Sequence, residues 1–174
     1  MPGCGKSTLA RALCEAGLAD MLDVDTLVET AERRTIPAIM RHSGEAEFRR
    51  LEAEATASVA ALADGGTRPL VVSTGGGAPC HGTNMDTMLA AGTVVWLQAS
   101  RERSLERLAA APGQRPGADA AMAEGRLAQW FDALLEQRAP HYGRAHARFD
   151  SSRLDTPAQI AASVAAFART FHLK

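Results

Sequence analysis

Short apolar segments alternate with helical ones along the chain. Residues 69–73 and 93–97 are compact apolar runs, the apolar pair at 21–22 leads to Asp23, and 147–150 is a weaker strand candidate. Runs of this length are typical of parallel strands that are buried on both faces. The sequence therefore predicts four short strands, the first of them ending at Asp23.

Between these runs, apolar residues recur three or four positions apart, which predicts helices. One helix is expected at 6–16, and two others carry the series Phe48, Leu51, Ala55, Val59, Leu62 and Ile160, Val164, Phe167, Phe171. Glycines at 65–66 and at 92 are expected to end two of the helices. Because strands and helices alternate, we predict an α/β fold with a doubly wound parallel sheet, and ligands at the carboxyl ends of its strands.

Composition and charge narrow the functional classes. With 174 residues, 46% of them hydrophobic, the chain is expected to fold as one domain over residues 1–174. A net charge of −1 argues against a general nucleic-acid or membrane-surface binder, and no apolar run is long enough to span a bilayer. The three cysteines and five histidines show no metal-ligand spacing, and no signal-peptide pattern is seen. We expect a cytoplasmic monomer with reduced thiols and no nucleic-acid or membrane partner.

Residues 1–8, M-P-G-C-G-K-S-T, contain the end of a phosphate-binding loop, whose full pattern is G-x-x-x-x-G-K-[ST]. Gly3 and Gly5 lack Cβ atoms, so the backbone can adopt a positive φ and bring successive N–H groups close to a phosphate. Lys6 can reach the outer phosphates, and the Ser7 hydroxyl suits Mg²⁺. The positive end of the following helix points to the same place.

The first glycine of this pattern, and the strand that normally feeds the loop, fall before Met1. Position 1 lies one residue after that glycine. We therefore expect the reading frame to continue upstream with a glycine, preceded by about five or six mostly apolar residues, the usual length of a strand.

Four other motifs fall where phosphate chemistry would use them. Asp23 and Asp25 follow the strand at 21–22, and S-T-G-G-G-A follows the strand at 69–73. F-R-R-L-E at 48–52 opens a predicted helix, and R-A-P-H-Y ends another. Two prolines, two glycines and one arginine in the segment from 109 to 117 favour either a mobile lid, at about 109–122, or an ordinary surface loop.

In this order and spacing, the motifs resemble those of the shikimate kinase family: G-x-G-K-S-T, D-x-D, F-R-x-x-E, a G-G-G loop, a lid R-P and R-A-P-x-Y. The resemblance covers the chain from Met1 to its C-terminal helix. It implies a three-layer P-loop kinase fold with a parallel sheet, whose first, central strand is missing from this chain. It also implies ATP-dependent phosphorylation of the shikimate 3-hydroxyl, with Mg²⁺ as cofactor and with ATP and shikimate as small-molecule partners.

The resemblance assigns a role to each matching position. For ATP, it implies Gly3, Cys4, Gly5, Lys6, Ser7 and Thr8, with Arg107 against adenine, Arg115 closing on the phosphates and Arg153 bordering the nucleotide. For shikimate, it implies Arg49 and Arg138 at the carboxylate, Asp25 at the reacting hydroxyl, and the backbone of Gly75, Gly76 and Gly77. The implied catalytic residues are Lys6, Asp25 and Arg115, and the implied metal-binding residues are Ser7 and, through water, Asp23.

Two alternatives stay open at this point. A related P-loop kinase acting on gluconate would share several motifs, and a catalytically inactive relative that only binds a ligand or a partner would fit the missing strand. Without its motif, Arg49 reads equally well as a surface partner of Glu45 or Glu52.

Two aromatic residues and one glycine lie outside these assignments. Trp96 and Trp130 are expected in the core rather than as stacking platforms. Gly117 stands where the family has a bulky apolar residue after the lid arginine and proline, which predicts looser closure of the lid.

Overall fold

The computed structural model describes residues 1–62, 68–113 and 115–173, and these contain eight α-helices and four β-strands. The helices are α1 (Lys6–Glu15), α2 (Val24–Glu32), α3 (Ile36–Ala60), α4 (Asn84–Ala91), α5 (Arg101–Ala109), α6 (Pro116–Ala123), α7 (Leu127–Tyr142) and α8 (Pro157–Thr170). The strands are β1 (Asp20–Asp23), β2 (Leu70–Ser73), β3 (Val95–Gln98) and β4 (Ala147–Asp150). Among the described residues, no helix combines the length and apolar character that a membrane span requires.

The strands form two parallel pairs. β1 pairs with β2 so that Asp23 lies opposite Ser73, and β3 pairs with β4 so that Gln98 lies opposite Asp150. The two members of each pair therefore end level with each other. All four predicted strands are present, and the parallel α/β architecture is confirmed.

A slot separates β2 from β3. Within the ranges that the structure describes, no strand pairs with the edges of β2 and β3 that face the slot. Cavities of about 500 and 320 Å³ open on its two sides, the first walled by α1 and α8 and the second by α3 and α4. This arrangement of parallel strands between two layers of helices agrees with the predicted three-layer fold.

Each helical layer has its own apolar core. In one layer, Leu13 of α1 and Phe167 of α8 are buried, and Phe149 of β4 meets Phe167 edge to face with ring centroids 5.0 Å apart. In the other layer, Ile39 of α3 packs with Val28 of α2. These two cores fix α1, α2 and α3, and a third apolar cluster, which contains Phe131 and Tyr142, holds α7.

The structure corrects the predicted end of α3. The helix begins at Ile36, but Gly44, with φ 82° and ψ 168°, is non-helical and divides α3 into two helical segments, so the motif at 48–52 lies near the start of the second segment, as predicted. Leu62, predicted on the buried face, lies beyond the last residue of α3 and is 59% exposed. The glycines at 65–66 that were expected to stop this helix lie outside the described residues.

The structure also corrects the segment predicted as irregular. Pro116 and Gly117 are the first two residues of α6, because the fixed φ of proline suits the first helical position. The Asp119 carboxylate accepts hydrogen bonds from the N–H groups of Gly113, at 2.9 Å, and Arg115, at 3.1 Å. These bonds fasten the preceding chain to the helix.

Candidate active site

The glycines of the phosphate-binding loop hold positions that a side chain would not tolerate. Gly3 and Gly5 have φ values of 73° and 84°. A Cβ on Gly3 would lie 2.6 Å from the Ser104 carbonyl oxygen, and one on Gly5 would lie 2.6 Å from Leu154 Cδ1. Gly5 is also the N-cap of α1, and no described side chain caps this end of the helix, so its first N–H groups are left for an anion.

Lys6, Ser7 and Asp23 meet beside this loop. Lys6 Nζ donates to the Met1 carbonyl oxygen at 3.1 Å. Ser7 Oγ donates to Asp23 Oδ2 at 3.4 Å, and Asp23 Oδ1 accepts from the Asp25 N–H at 3.0 Å and caps α2. A hydroxyl and a carboxylate from two elements thus lie together, and these are the hard oxygen donors that Mg²⁺ prefers.

A cavity of about 350 Å³ opens on the other side of the loop. Three of the residues predicted to bind ATP, Thr8, Arg107 and Arg115, line this cavity together with the loop glycines. Arg153 does not, and lines a separate groove beside Phe149 and Gln159. The side chain of Cys4, within the loop, is buried. The cavity is walled by Gly3, Gly5, Thr8, Arg107, Arg115, Leu154 and Asp155.

Arg107 fastens the loop to the segment that follows β4. Its guanidinium donates to the carbonyl oxygens of Gly3, Ser151 and Ser152 at 3.2, 3.1 and 2.9 Å, and to Asp155 Oδ1 at 2.8 Å. The hydrogen bond from Arg107 lowers the pKa of the Asp155 carboxyl. This structural role could not be predicted from the sequence, because the partners lie 104 and 44–48 residues away along the chain.

The glycine run 75–77 lies directly against four charged side chains. None of the three glycines has a positive φ, so they provide space rather than an unusual backbone conformation. The six residues for which the resemblance implies substrate binding, the three glycines together with Asp25, Arg49 and Arg138, therefore lie together. The close approaches of an ideal Cβ are Gly75 to Glu52 Oε1 (2.7 Å) and Asp25 Oδ1 (3.0 Å), Gly76 to Arg138 Nη1 (3.3 Å), and Gly77 to Arg49 Nη1 (2.8 Å).

Glu52 is a site residue that sequence reasoning missed. Its side chain is 1% exposed, and its Oε2 accepts from Arg49 Nη1 at 2.8 Å. Its Oε1, which faces Gly75, has no hydrogen-bond partner among the described residues. Arg49 also donates to Glu45 Oε1, so both partners considered from the sequence are present. The three-residue spacing in F-R-R-L-E was the available signal, because it places Arg49 and Glu52 on one helix face.

Asp25 is a carboxyl group whose pKa is raised strongly by its surroundings. Burial, together with the negative charges of Asp23 and Glu52, raises the pKa of Asp25 to about 6. The group therefore ionises just below neutral pH, in the range where a carboxylate can accept a proton. Its position against Gly75 puts this carboxylate at the same run as the two arginines.

Tyr142 holds the glycine run from the other side. Its hydroxyl donates to the Gly76 carbonyl oxygen at 2.6 Å. Burial raises the pKa of Tyr142 to about 12, so the hydroxyl keeps its proton at neutral pH. Arg138 lies one turn earlier on α7 and contacts the same glycine, which explains why R-A-P-H-Y contributes two groups to one site.

Gly77→Ala is expected to displace the Arg49 guanidinium without straining the backbone. Gly77 has φ −86° and ψ −23°, which alanine adopts freely, but its Cβ would lie 2.8 and 2.9 Å from the two terminal nitrogens of Arg49. We expect the KM for the carboxylate substrate to rise about tenfold, which equals about 1.4 kcal/mol, with little change in the KM for nucleotide. Gly92→Ala is the matched control, because a Cβ there meets open space at φ 175°. A KM equal to that of the control would contradict the predicted contact.

Comparison with known proteins identifies relatives of this arrangement. The shikimate kinase family model matches residues 2–169. The chain is 34% identical to the shikimate kinase of Bacteroides fragilis over 162 residues, which cover 93% of this chain and 87% of that protein. It is 39% identical to the shikimate kinase of Thermus thermophilus over 144 residues, covering 83% and 73%.

Solved structures give the same result for the fold. The crystal structure of the shikimate kinase from Bacteroides thetaiotaomicron superposes with a TM-score of 0.83 at 30% identity, over 98% of this chain and 94% of that one. The shikimate kinase from Acinetobacter baumannii, solved in complex with shikimate, superposes with a TM-score of 0.78 at 27% identity, over 99% and 90%. The P-loop, the glycine run with its charged neighbours, and these matches together show that the chain is a kinase that belongs to the shikimate kinase family.

Proposed function

We propose that this protein transfers the γ-phosphate of ATP to the 3-hydroxyl of shikimate, giving shikimate 3-phosphate and ADP. One observation carries the proposal: the run 75–77 holds two arginines and two carboxylates against itself, in a chain that also has a P-loop. This set of charges suits a small molecule with both a carboxylate and a reactive hydroxyl. The shikimate bound to the Acinetobacter relative is such a molecule.

At the substrate end, Arg49 and Arg138 bind the shikimate carboxylate. Each guanidinium offers a planar pair of donors that matches a carboxylate, and the lysine ammonium does not. Glu52 orients Arg49 through the 2.8 Å ion pair. Asp25, ionised above pH 6, accepts the hydrogen bond of the 3-hydroxyl and takes its proton as the new P–O bond forms. Gly75, Gly76 and Gly77 contribute backbone groups.

At the nucleotide end, the backbone of residues 3–8 binds the ATP phosphates. Lys6 neutralises the charge on the β- and γ-phosphates, and Arg115, which lines the cavity beside the loop, adds positive charge as the phosphate is transferred. Arg107 lies in the same cavity and borders the adenine, while its hydrogen bonds keep the loop in place. The proposed contact of Arg153 with the nucleotide has no support from its position in a separate groove.

Ser7 and Asp23 fit a magnesium site, Ser7 directly and Asp23 through water. Their oxygen atoms lie 3.4 Å apart beside the loop. Among the described residues, no group of three His, Cys, Asp or Glu side chains could hold a metal ion by itself, and Mg²⁺ in phosphate sites uses few protein ligands. When bound, Mg²⁺ neutralises charge on the phosphates.

Residues 1–174 are proposed to act as one catalytic domain, with a lid at about 109–122 that closes over bound nucleotide. The structure describes this segment apart from residue 114. Within it, α6 follows directly on Arg115. Closure would carry Arg115 towards the phosphates, so the contact would form mainly in the transition state.

A substrate panel tests the proposed function. ADP release would be measured by a coupled assay with ATP, Mg²⁺ and, in separate reactions, shikimate, quinate and gluconate. We expect shikimate to react fastest, because a cyclic carboxylate is held by both arginines. Faster turnover of gluconate would identify a different small-molecule kinase, and binding without any ADP release would identify an inactive relative.

A further inference from the structure

Gly117, at the start of α6, lies close to the indole ring of Trp130 on α7. A Cβ on Gly117 would lie 3.3 Å from Trp130 Cζ2, which is a tight contact, and 3.5 Å from Nε1, which is an ordinary one. Gly117 has no positive φ, so an alanine here would act through this contact, by displacing the indole or α6 by a few tenths of an ångström, and not through the backbone conformation. We call this pair, Gly117 and Trp130, the seat of α6.

The seat is continuous with the apolar core. Trp130 is half-buried and packs against the core cluster that contains Phe131 and Ala118. Ala118 and Ala121 of α6 are 4% and 2% exposed. Small residues thus let α6 approach α7 closely, and Trp130 sets the depth of that approach at the first turn of α6.

The position of α6 is transmitted directly to Arg115. Arg115 is the N-cap residue of α6, two positions before Gly117. The Asp119 carboxylate of α6 accepts a hydrogen bond from the Arg115 N–H at 3.1 Å, which ties the backbone of Arg115 to the helix. Arg115 in turn lines the cavity formed with Gly3 and Thr8 of the phosphate-binding loop. A shift of α6 on Trp130 therefore moves Arg115 relative to that cavity.

We propose that Gly117 is a positioning residue, whose fit against Trp130 sets the place of Arg115 at the nucleotide phosphates. This inference rests on the proposed kinase function. It reverses the expectation that glycine at this position loosens closure. Glycine fits beside the indole at this contact, whereas a bulky side chain there would hold α6 away from α7.

A double-mutant cycle separates this role from the stability of α6. Gly117→Ala adds the intruding Cβ, although alanine is the better helix former by about 1 kcal/mol. Trp130→Phe removes Nε1 and Cζ2, the two atoms nearest to that Cβ. The cycle comprises wild type, both single variants and the double variant. Gly92→Ala, where a Cβ meets open space, is the control for adding a methyl group.

We expect Gly117→Ala to lower kcat by about threefold to tenfold, the scale of a displacement of a few tenths of an ångström at a catalytic group, with the KM for shikimate within twofold of wild type. The double variant should return to the kcat of Trp130→Phe, because the added methyl group then has room. Wild-type kcat in Gly117→Ala would overturn the inference. So would a loss that Trp130→Phe does not relieve, since the two residues would then act independently.

Hydrogen exchange of residues 115–123 tests the seat without any turnover. We expect faster exchange in Gly117→Ala than in wild type, despite its higher helix propensity, and recovery in the double variant. If wild type turns over no shikimate but this exchange pattern is found, the proposed function is wrong, whereas the packing of Gly117 against Trp130 is confirmed. Equal exchange in wild type and Gly117→Ala would overturn the seat, whatever the activity.

Discussion

Asp25→Asn is expected to lower kcat by about 10²–10⁴-fold, the usual contribution of general acid–base catalysis, while making the folded protein more stable at pH 8. The loss of activity follows because asparagine cannot accept the proton of the substrate hydroxyl. The gain in stability follows because asparagine removes a buried charge beside Asp23 and Glu52. A residue that serves only packing would not give these opposite effects.

The pH dependence fixes the sign of the stability change. The pKa of Asp25 is raised from 3.8 to about 6 in the folded protein, so between these values the folded state binds more protons than the unfolded state. The free energy of unfolding therefore falls as the pH rises through this window, and once the pH is well above 6 the penalty is complete, at about 3 kcal/mol. The kcat of wild type should instead rise as the pH passes 6, because the ionised carboxylate is the active form.

Melting temperatures and kcat would be measured for wild type and Asp25→Asn from pH 4 to pH 8. The variant should melt above wild type at pH 8 and close to it at pH 4. Asp20→Asn is the matched control, since Asp20 is exposed at the start of β1, the strand that leads into α2 and Asp25. Equal stabilisation at both pH values would show that the charge of Asp25 is not the cause.

Arg138→Ala is expected to raise the KM for shikimate by about 30- to 1000-fold, the equivalent of about 2–4 kcal/mol for a charge-assisted pair, with little change in the KM for ATP. Arg138→Lys should recover little of this loss, because an ammonium cannot form the planar double contact. Arg144→Ala is the matched control. Arg144 lies just beyond the end of the same helix and pairs with Asp86 at the surface. An unchanged KM for shikimate in Arg138→Ala would show that Arg138 does not bind the shikimate carboxylate.

Substitution of Arg49 tests the binding of the carboxylate less directly, because Arg49 is also paired with Glu52. Its removal would leave the buried Glu52 carboxylate without its cation, and breaking a buried ion pair costs about 3–5 kcal/mol. We therefore expect Arg49→Ala to lose both substrate binding and stability. The difference between Arg49→Ala and Arg138→Ala in melting temperature reports the contribution of Glu52.

The strands and the P-loop could be predicted because their signals are local. The compact apolar runs at 69–73 and 93–97 contain β2 and most of β3, and the weaker candidate at 147–150 matches β4 residue for residue. The P-loop needs glycine at positions 3 and 5, and the left-handed φ of both residues shows why. The structure also places Asp25, Arg49 and Arg138 at one glycine run, as the motifs indicated.

The remaining features depend on contacts between distant residues, which leave weak or no sequence signals. Glu52 reads as an ordinary surface residue until the helix buries it against Gly75. Arg107 reaches Gly3 across 104 residues, so its hold on the loop is invisible in the sequence. Gly117 resembles a loop residue because it follows a proline, and only the position of Trp130 shows that it belongs to a packed helix.

Phosphorus NMR of the reaction products tests the central claim most directly. The protein would be incubated with ATP, Mg²⁺ and shikimate, and the new phosphate ester would be located by its coupling to a ring proton. The account predicts ADP together with a single ester whose phosphorus couples to the proton on carbon 3. An ester on another hydroxyl, or inorganic phosphate as the only product besides ADP, would contradict it.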